Sequence, residues 1–341
     1  MASVGIIVNP WAGKDVRRLH APTGHTPDTA KIGIVRRIAI AALEAGAERV
    51  YAADDTGRLA QRAIAGIPGS ELVTGPGTGS MLDTRRAATQ LVELGCVPLV
   101  VLGGDGTCRD VAIAARHSAL IAVSTGTNNV FPVFVDATSA GTAAGLIACG
   151  AIDAAQAGRR AKVLDITIAV PAGGACEHDV ALVDVALIDA AATGARAVVR
   201  AGAVRAVVAA IATPASTGLS SVAGRLRPLS RHEEGAVAVR LGEVGAQSRH
   251  VRVPIVPGSI DVVAVESIEL LGEGETFELT GPGVLAYDGE RDRVLPAGVT
   301  ATVTVTSDGP LMIDVERTLQ CAAAHRLFDQ PPSHEELPDG D

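Results

Sequence analysis

Apolar residues recur along the chain in two rhythms, and the change between them falls near residue 160. Before it, short aliphatic runs (VGIIVNP, RVYAAD, VPLVVLGG, ALIAVSTG) alternate with IVRRIAIAALEAGA, SMLDTRRAATQLVELG and TCRDVAIAARH, where apolar positions return at helical spacing. Continuous apolar strands separated by helices predict a parallel sheet covered on both faces. The helix near residue 80 is expected to be entered through Asp83 or Thr84, and the one after LVVLGG to begin near Thr107. The Ala- and Gly-rich stretch 137–158 reads as a place where a boundary could lie.

After residue 160 the runs become short, β-branched and alternating: VLDITIAVP, DVALVDVALID, AVAVRLG, RHVRVPIVP, DVVAVESIELL, ETFELTG and TATVTVTSDG, separated by turn signals. Only ARAVVRAGAVRAVVAAIA reads as a helix of any length. The expected organisation is an α/β domain over residues 1–155, a β-rich domain over 156–310, a segment 311–330 that docks back on the first, and a Pro-rich acidic tail over 331–341.

Composition narrows the classes. With 48% hydrophobic but 2% aromatic residues, the core must be built from Ala, Val, Ile and Leu. A formal charge of −9 with scattered Lys and Arg carries no footprint for nucleic acid or an anionic membrane. No apolar run is long enough to cross a bilayer and the first residues lack the layout of a secretory signal, so a cytoplasmic location is expected. Five cysteines without a CxxC pair suggest neither zinc nor a disulfide framework, and Cys108 reads as a small buried thiol. The eight histidines show no ligand spacing.

Candidate chemistry sits in three polar turns that follow predicted strands, where ligands of open α/β sheets bind. In NPWAGK, Asn9 and Pro10 stop the strand, Gly13 frees the backbone, and Lys14 supplies a cation suited to phosphate. In GGDGT, Gly103, Gly104 and Gly106 let backbone N–H groups approach an anion, and the helix start near Thr107 adds its positive end. Asp105, with a reference pKa near ~3.9, can accept a proton from a hydroxyl or face Mg²⁺ held by phosphates. Thr107 suffices as a helix cap, so Asp105 reads as surplus to structure. In STGTNNVFP, Thr127, Asn128 and Asn129 form a turn able to contact phosphate, ribose or a base. GGDGT matches neither the Walker pattern nor GxGxxG.

NPxxGK, GGDGT and GTNN in this order resemble the superfamily that joins NAD kinases with diacylglycerol and sphingosine kinases. TPASTGLSSVAG is similar to the NAD-kinase segment TPTGSTAYSLSAGG with one residue deleted, and YDGE to the late Asp-Gly element of both branches. IIVNPWAGKDVRRL together with GGDGTCR and GTNNVFP resembles the NAD-kinase-like group that includes acetoin catabolism protein X. The resemblance implies an α/β domain with a parallel sheet, a β-rich second domain, and a site between them. It further implies ATP as phosphoryl donor with Mg²⁺ carried by the nucleotide and no dedicated cluster of protein ligands. Asp105 would activate the accepting hydroxyl; Asn9, Lys14, Gly103, Gly104, Gly106, Thr107, Thr127, Asn128 and Asn129 would serve the nucleotide. Val183, Asp184, Thr213, Ser216, Thr217 and Asp288 would lie on the acceptor side.

Val183-Asp184 stands where NAD kinases carry the Asn-Glu pair that grips their dinucleotide, so an amide is missing and poor use of NAD is expected. The leading expectation is a kinase acting on a hydroxyl of NAD or a related small molecule. A lipid kinase and a catalytically silent nucleotide-binding regulator of a catabolic pathway are the alternatives. The expected partners are a small-molecule nucleotide and further copies of the chain in a homo-oligomer.

Overall fold

The computed structural model describes residues 1–13, 26–126, 129–169, 176–189, 201–243 and 249–329. Lys14, Thr127, Asn128 and the acidic tail lie outside them. The first half runs β1 (Ser3–Val8), α1 (Asp28–Glu44), β2 (Arg49–Ala53), α2 (Leu59–Ile64), β3 (Ser70–Val73), α3 (Met81–Glu93), β4 (Leu99–Gly103), α4 (Asp105–Ala114), β5 (Ala119–Ser124) and α5 (Ala137–Ala148). A short turn of helix, α6 (Ala154–Ala157), leads into β6 (Gly158–Arg160).

The second half contains β7 (Val163–Ile168), β8 (Glu177–Ala181), β9 (Asp184–Ile188), β10 (Val204–Ala209), α7 (Leu219–Leu226), β11 (Ala236–Gly242), β12 (Arg249–Val253) and β13 (Asp261–Leu271). It continues through β14 (Thr276–Thr280), β15 (Gly283–Tyr287), β16 (Glu290–Leu295) and β17 (Thr300–Thr306), and closes with β18 (Leu311–Ile313) and α8 (Val315–Ala324).

Among the described residues the first sheet has the order β3-β2-β1-β4-β5-β18-β6. It is parallel from β3 through β18, and β6 joins antiparallel at the edge. The chain winds outward from β1 to β3 and then returns to place β4 on the other side of β1. That reversal makes the carboxyl ends of β1 and β4 the topological switch point, where a crevice opens. Both faces of the sheet are covered. One packs on α1, α2, α5 and α8. The other packs on α3 and α4, together with Leu182, Val183 and Ile211 from the second half.

The second half forms a sandwich of the seven-stranded sheet β12-β13-β11-β10-β9-β15-β16 and the four-stranded sheet β14-β17-β7-β8. Its logic is period two: along β17, Ala301, Val303 and Val305 enter the core while Thr300, Thr302, Thr304 and Thr306 alternate outward.

Two local expectations are corrected. Part of the stretch read as a long helix is strand β10, and residues 195–200 of it lie outside the described residues. Val207 and Val208 pair with Val239 and Val185 in mid-sheet, where β-branched residues buried on both faces fit a pleat better than a helix. Within the Ala- and Gly-rich stretch, residues 137–148 form helix α5: Gly141 and Gly145 lie so close to α1 that a Cβ would meet the carbonyl oxygens of Ile38 and Ala42 at 2.4 and 2.3 Å. Helix α3 is capped by Ser80, whose Oγ accepts from the Leu82 N–H at 3.3 Å, while Asp83 sits in its first turn and takes the N–H groups of Thr78 and Gly79.

Candidate functional site

At the end of β1 the Asn9 N–H donates to the Leu102 carbonyl at 2.9 Å, which fixes the turn against β4. The Asn9 Nδ2 donates to Thr107 Oγ1 at 2.8 Å, and its Oδ1 accepts from the Trp11 N–H at 2.8 Å. Asn9 therefore holds two of the polar turns together. Beneath it lies Lys31, fully buried, whose Nζ donates to the carbonyls of Asn9 and Pro10 at 3.3 and 2.8 Å. Sequence reading missed Lys31 because the helix was taken to start later. Its spacing of four and seven from Val35 and Ile38 on the buried face of α1 was the available signal.

Helix α4 begins at Asp105, two residues before the expected Thr107, with Gly104 as an N-cap that makes no side-chain capping bond. Thr107 does not cap it: the side chain is buried and accepts from Asn9. The glycines have packing reasons, since a Cβ on Gly103 would lie 2.5 Å from Thr107 and one on Gly104 2.9 Å from Asn129 Oδ1. Asn129 itself donates to Ser124 Oγ at 2.9 Å.

Asp105 is not surplus to the fold. Its Oδ1 accepts from the N–H groups of Val130 and Phe131 at 3.0 and 2.8 Å, and Oδ2 takes a second contact from Val130 at 3.1 Å. The carbonyls of the same two residues accept from Arg231 at 2.6 and 2.9 Å. A carboxylate on one side and a guanidinium on the other thus clamp the loop that follows Asn129. Arg231 carried no local sequence signal, because it reaches this loop from 100 residues away.

The acceptor-side candidates meet at a second aspartate. Asp288 and Gly289 form the two-residue turn between β15 and β16, with φ of 49° and 80°, the left-handed geometry of tight hairpins. From there the Asp288 carboxylate folds inward and accepts from the N–H groups of Leu182, Val183 and Asp184 at 3.0, 2.8 and 3.3 Å. Val183 is 1% exposed within an apolar cluster, and Asp184 is 3% exposed. Asp184 faces the backbone N–H groups of Gly289 and Ser220, while among the described residues its Oδ1 has no hydrogen-bond partner.

Burial pushes the Asp184 carboxyl well above the usual range, helped by the neighbouring charges of Asp288 and Asp105. Burial likewise raises Asp288 to about 6, opposed by Arg109, whose guanidinium stacks 4.7 Å from the Tyr287 ring centroid and donates to Asp179 at 2.7 Å. The Cys108 thiol is fully buried beside the same acids and is pushed up.

Thr213, Ser216 and Thr217 lie in the loop between β10 and α7. The loop leaves from Ala210 and Ile211, whose N–H groups donate to the Val183 carbonyl at 2.9 and 3.3 Å. Ser216 Oγ donates to the Thr213 carbonyl at 3.0 Å. Among the described residues no group of three or more His, Cys, Asp or Glu side chains is arranged to hold a metal ion. No helix is long and apolar enough to cross a membrane among them either.

Known proteins match both halves. Residues 4–152 match the ATP-NAD kinase N-terminal domain, and residues 162–308 match the acetoin catabolism protein X C-terminal domain. Acetoin catabolism protein X of Cupriavidus necator is 35% identical over 340 residues, covering 96% of this chain and 94% of that protein. Yeast NADH kinase, solved in complex with NADH, superposes with a TM-score of 0.51 at 15% identity, covering 96% of this chain and 88% of its own, a likeness of fold. A kinase-type first half joined to this second half, and a relative aligned from end to end, establish that the chain belongs to the acetoin catabolism protein X family of NAD-kinase-like proteins.

Proposed function

We propose that the chain is an ATP-dependent phosphotransferase that delivers a phosphoryl group to a hydroxyl of a small molecule. The observation that carries this reading is Asp105: a carboxylate at the switch point of an α/β sheet, at the first turn of α4, held in one orientation by two backbone N–H groups. Such a group is pre-positioned to take the proton of an attacking hydroxyl.

The surrounding residues fit a nucleotide phosphate. The N-cap of α4 is a glycine with no side chain to occupy its first N–H groups, its helix dipole favours an anion, and the Asn9 and Asn129 amides lie alongside. Lys14, Asn128 and Thr127 are proposed to complete the phosphate and base contacts. Mg²⁺ would enter with ATP and supply charge neutralisation when bound.

The acceptor is NAD or a related hydroxylated molecule. Burial of both Val183 and Asp184 favours the latter, because neither side chain is presented to a dinucleotide. Thr213, Ser216 and Thr217 are left as the acceptor-side hydroxyls.

The test is single-turnover transfer from γ-labelled ATP with Mg²⁺ to NAD and to a panel of hydroxylated acceptors, in wild type and Asp105→Asn. The asparagine keeps an Oδ1 acceptor for Val130 and Phe131 but cannot act as a base, so transfer should fall by about 10² to 10⁴ while ATP binding persists. Binding of ATP or NAD without transfer to any acceptor would instead establish the regulator. That second reading is favoured by the use Asp105 already has in holding its loop.

A further inference from the structure

A cavity of about 350 Å³ lies between the β6–β18 edge of the first sheet and the loop carrying Arg231. Its size is at the lower end of the range for small-molecule pockets. Phe131, Ile211 and Met312 give it apolar walls. Its charged lining is strongly biased: Arg159, Arg160, Lys162, Arg231, His232 and Arg317 face one carboxylate, Asp314, with Arg160 turned to the Gly309 carbonyl. That carboxylate is occupied as the N-cap of α8, accepting from the Arg317 N–H at 3.0 Å.

Two features mark this as a built site rather than a patch of surface charge. Lys162 is 5% exposed, yet among the described residues its Nζ makes one hydrogen bond, to the Ser230 carbonyl at 3.1 Å, and the acid that acts on it, Glu233, is itself exposed. A buried ammonium with donors to spare is costly unless an anion meets it. Among the described residues the guanidinium groups of Arg159 and Arg317 hold no side-chain partner at the rim, which leaves them for the same anion.

We propose that this cavity binds a phosphomonoester, a small molecule with an apolar body against Phe131, Ile211 and Met312 and a phosphate met by Lys162, Arg159 and Arg317. Arginine suits this role through its fork of donors, and a partly desolvated lysine adds a point charge. Arg231 connects the site to the rest of the molecule, since the guanidinium that lines the cavity also holds the carbonyls of Val130 and Phe131, whose amides hold Asp105. The inference does not rest on phosphoryl transfer, and its test involves no turnover.

The chain has three lysines, Lys14, Lys31 and Lys162, which makes lysine chemistry selective. Lys31 is fully buried under Asn9. Burial lowers the Lys162 ammonium to about 8, so a neutral amine forms under mild conditions. The probe is pyridoxal 5′-phosphate, with pyridoxal as the phosphate-free control. The Lys162 amine condenses with the aldehyde, releasing water, and borohydride reduces the imine to a secondary amine that peptide mass spectrometry locates.

The phosphorylated probe should label Lys162 roughly tenfold faster than pyridoxal, inorganic phosphate should slow it, and Arg159→Ala or Arg317→Ala should each slow it by about tenfold while leaving pyridoxal labelling unchanged. Both arginines are exposed, so the folded protein is the species tested. Equal labelling by the two probes, or labelling indifferent to both arginines, would overturn the proposal.

Discussion

Asp105 and Asp288 perform the same local task at two turns, one in each half of the chain. Each follows a strand, each precedes a glycine, and each turns its carboxylate back onto a run of backbone N–H groups. The surroundings differ. Asp105 is half-buried at the start of a helix, beside a turn whose first N–H groups carry no side-chain cap, whereas Asp288 is 7% exposed and spends its lone pairs on three amides inside the fold. An identical Asp-Gly pair is therefore buried in one place and left within reach of a ligand in the other, and exposure separates the two.

The sharpest break in the comparison is Asp288→Ala. Three buried N–H groups lose their acceptor, and the left-handed turn loses a residue that tolerates it, so stability should fall on the order of 4 kcal/mol. Urea denaturation at neutral pH measures it, and a loss below that of an ordinary surface change would return Asp288 to the acceptor side.

The charge of Asp288 provides the next test. Its folded pKa of about 6 lies above the unfolded 3.8, so the folded state binds more protons between those values. The stability this group contributes is fully present below the unfolded pKa and is lost as pH rises through about 6. Asp288→Asn keeps the acceptor without the charge. It should match wild type near pH 4 and exceed it by neutral pH on the order of 3 kcal/mol, and parallel pH–stability curves would refute the burial of a charge there.

Val183→Asn places an amide in an apolar cluster and should cost about 2 kcal/mol. No loss, with a gain in NAD binding, would mean that the strand end opens toward the ligand. The smallest effect is expected for Asp105→Asn on stability, about 1 kcal/mol, because Oδ1 retains both loop amides. A loss as large as that of Asp288→Ala would erase the distinction between the two aspartates.

Much of the first half was legible because each of its signals is local. Aliphatic runs gave β1, β2, β4 and β5, and the polar turns behind three of them do converge, as Asn9 on Thr107 and Asn129 beside Gly104 attest. What escaped depends on distance along the chain. The strand identity of β10 is set by its partners β9 and β11, the helix α5 by a close approach to α1, and the anchoring of Asp105 by a loop 25 residues on. The hairpin at Asp288 was visible as an Asp-Gly pair, but the amides it serves are about 105 residues earlier. No local pattern could reveal them.

The edge of the first sheet has a consequence for how the molecule is made. β18 pairs with β5 through Leu311–Ala119 and Met312–Leu120, and with β6 through Leu311–Arg160, so the intervening sandwich enters and leaves at adjacent strands of one sheet. On the ribosome, β5 must wait as an open edge until the whole intervening sandwich and then β18 have emerged. Such a long-range closure slows folding and leaves an adhesive edge exposed meanwhile. A truncation just before residue 311 would therefore yield a chain that retains most of its contacts and every polar turn of the crevice, yet self-associates through that unclosed edge.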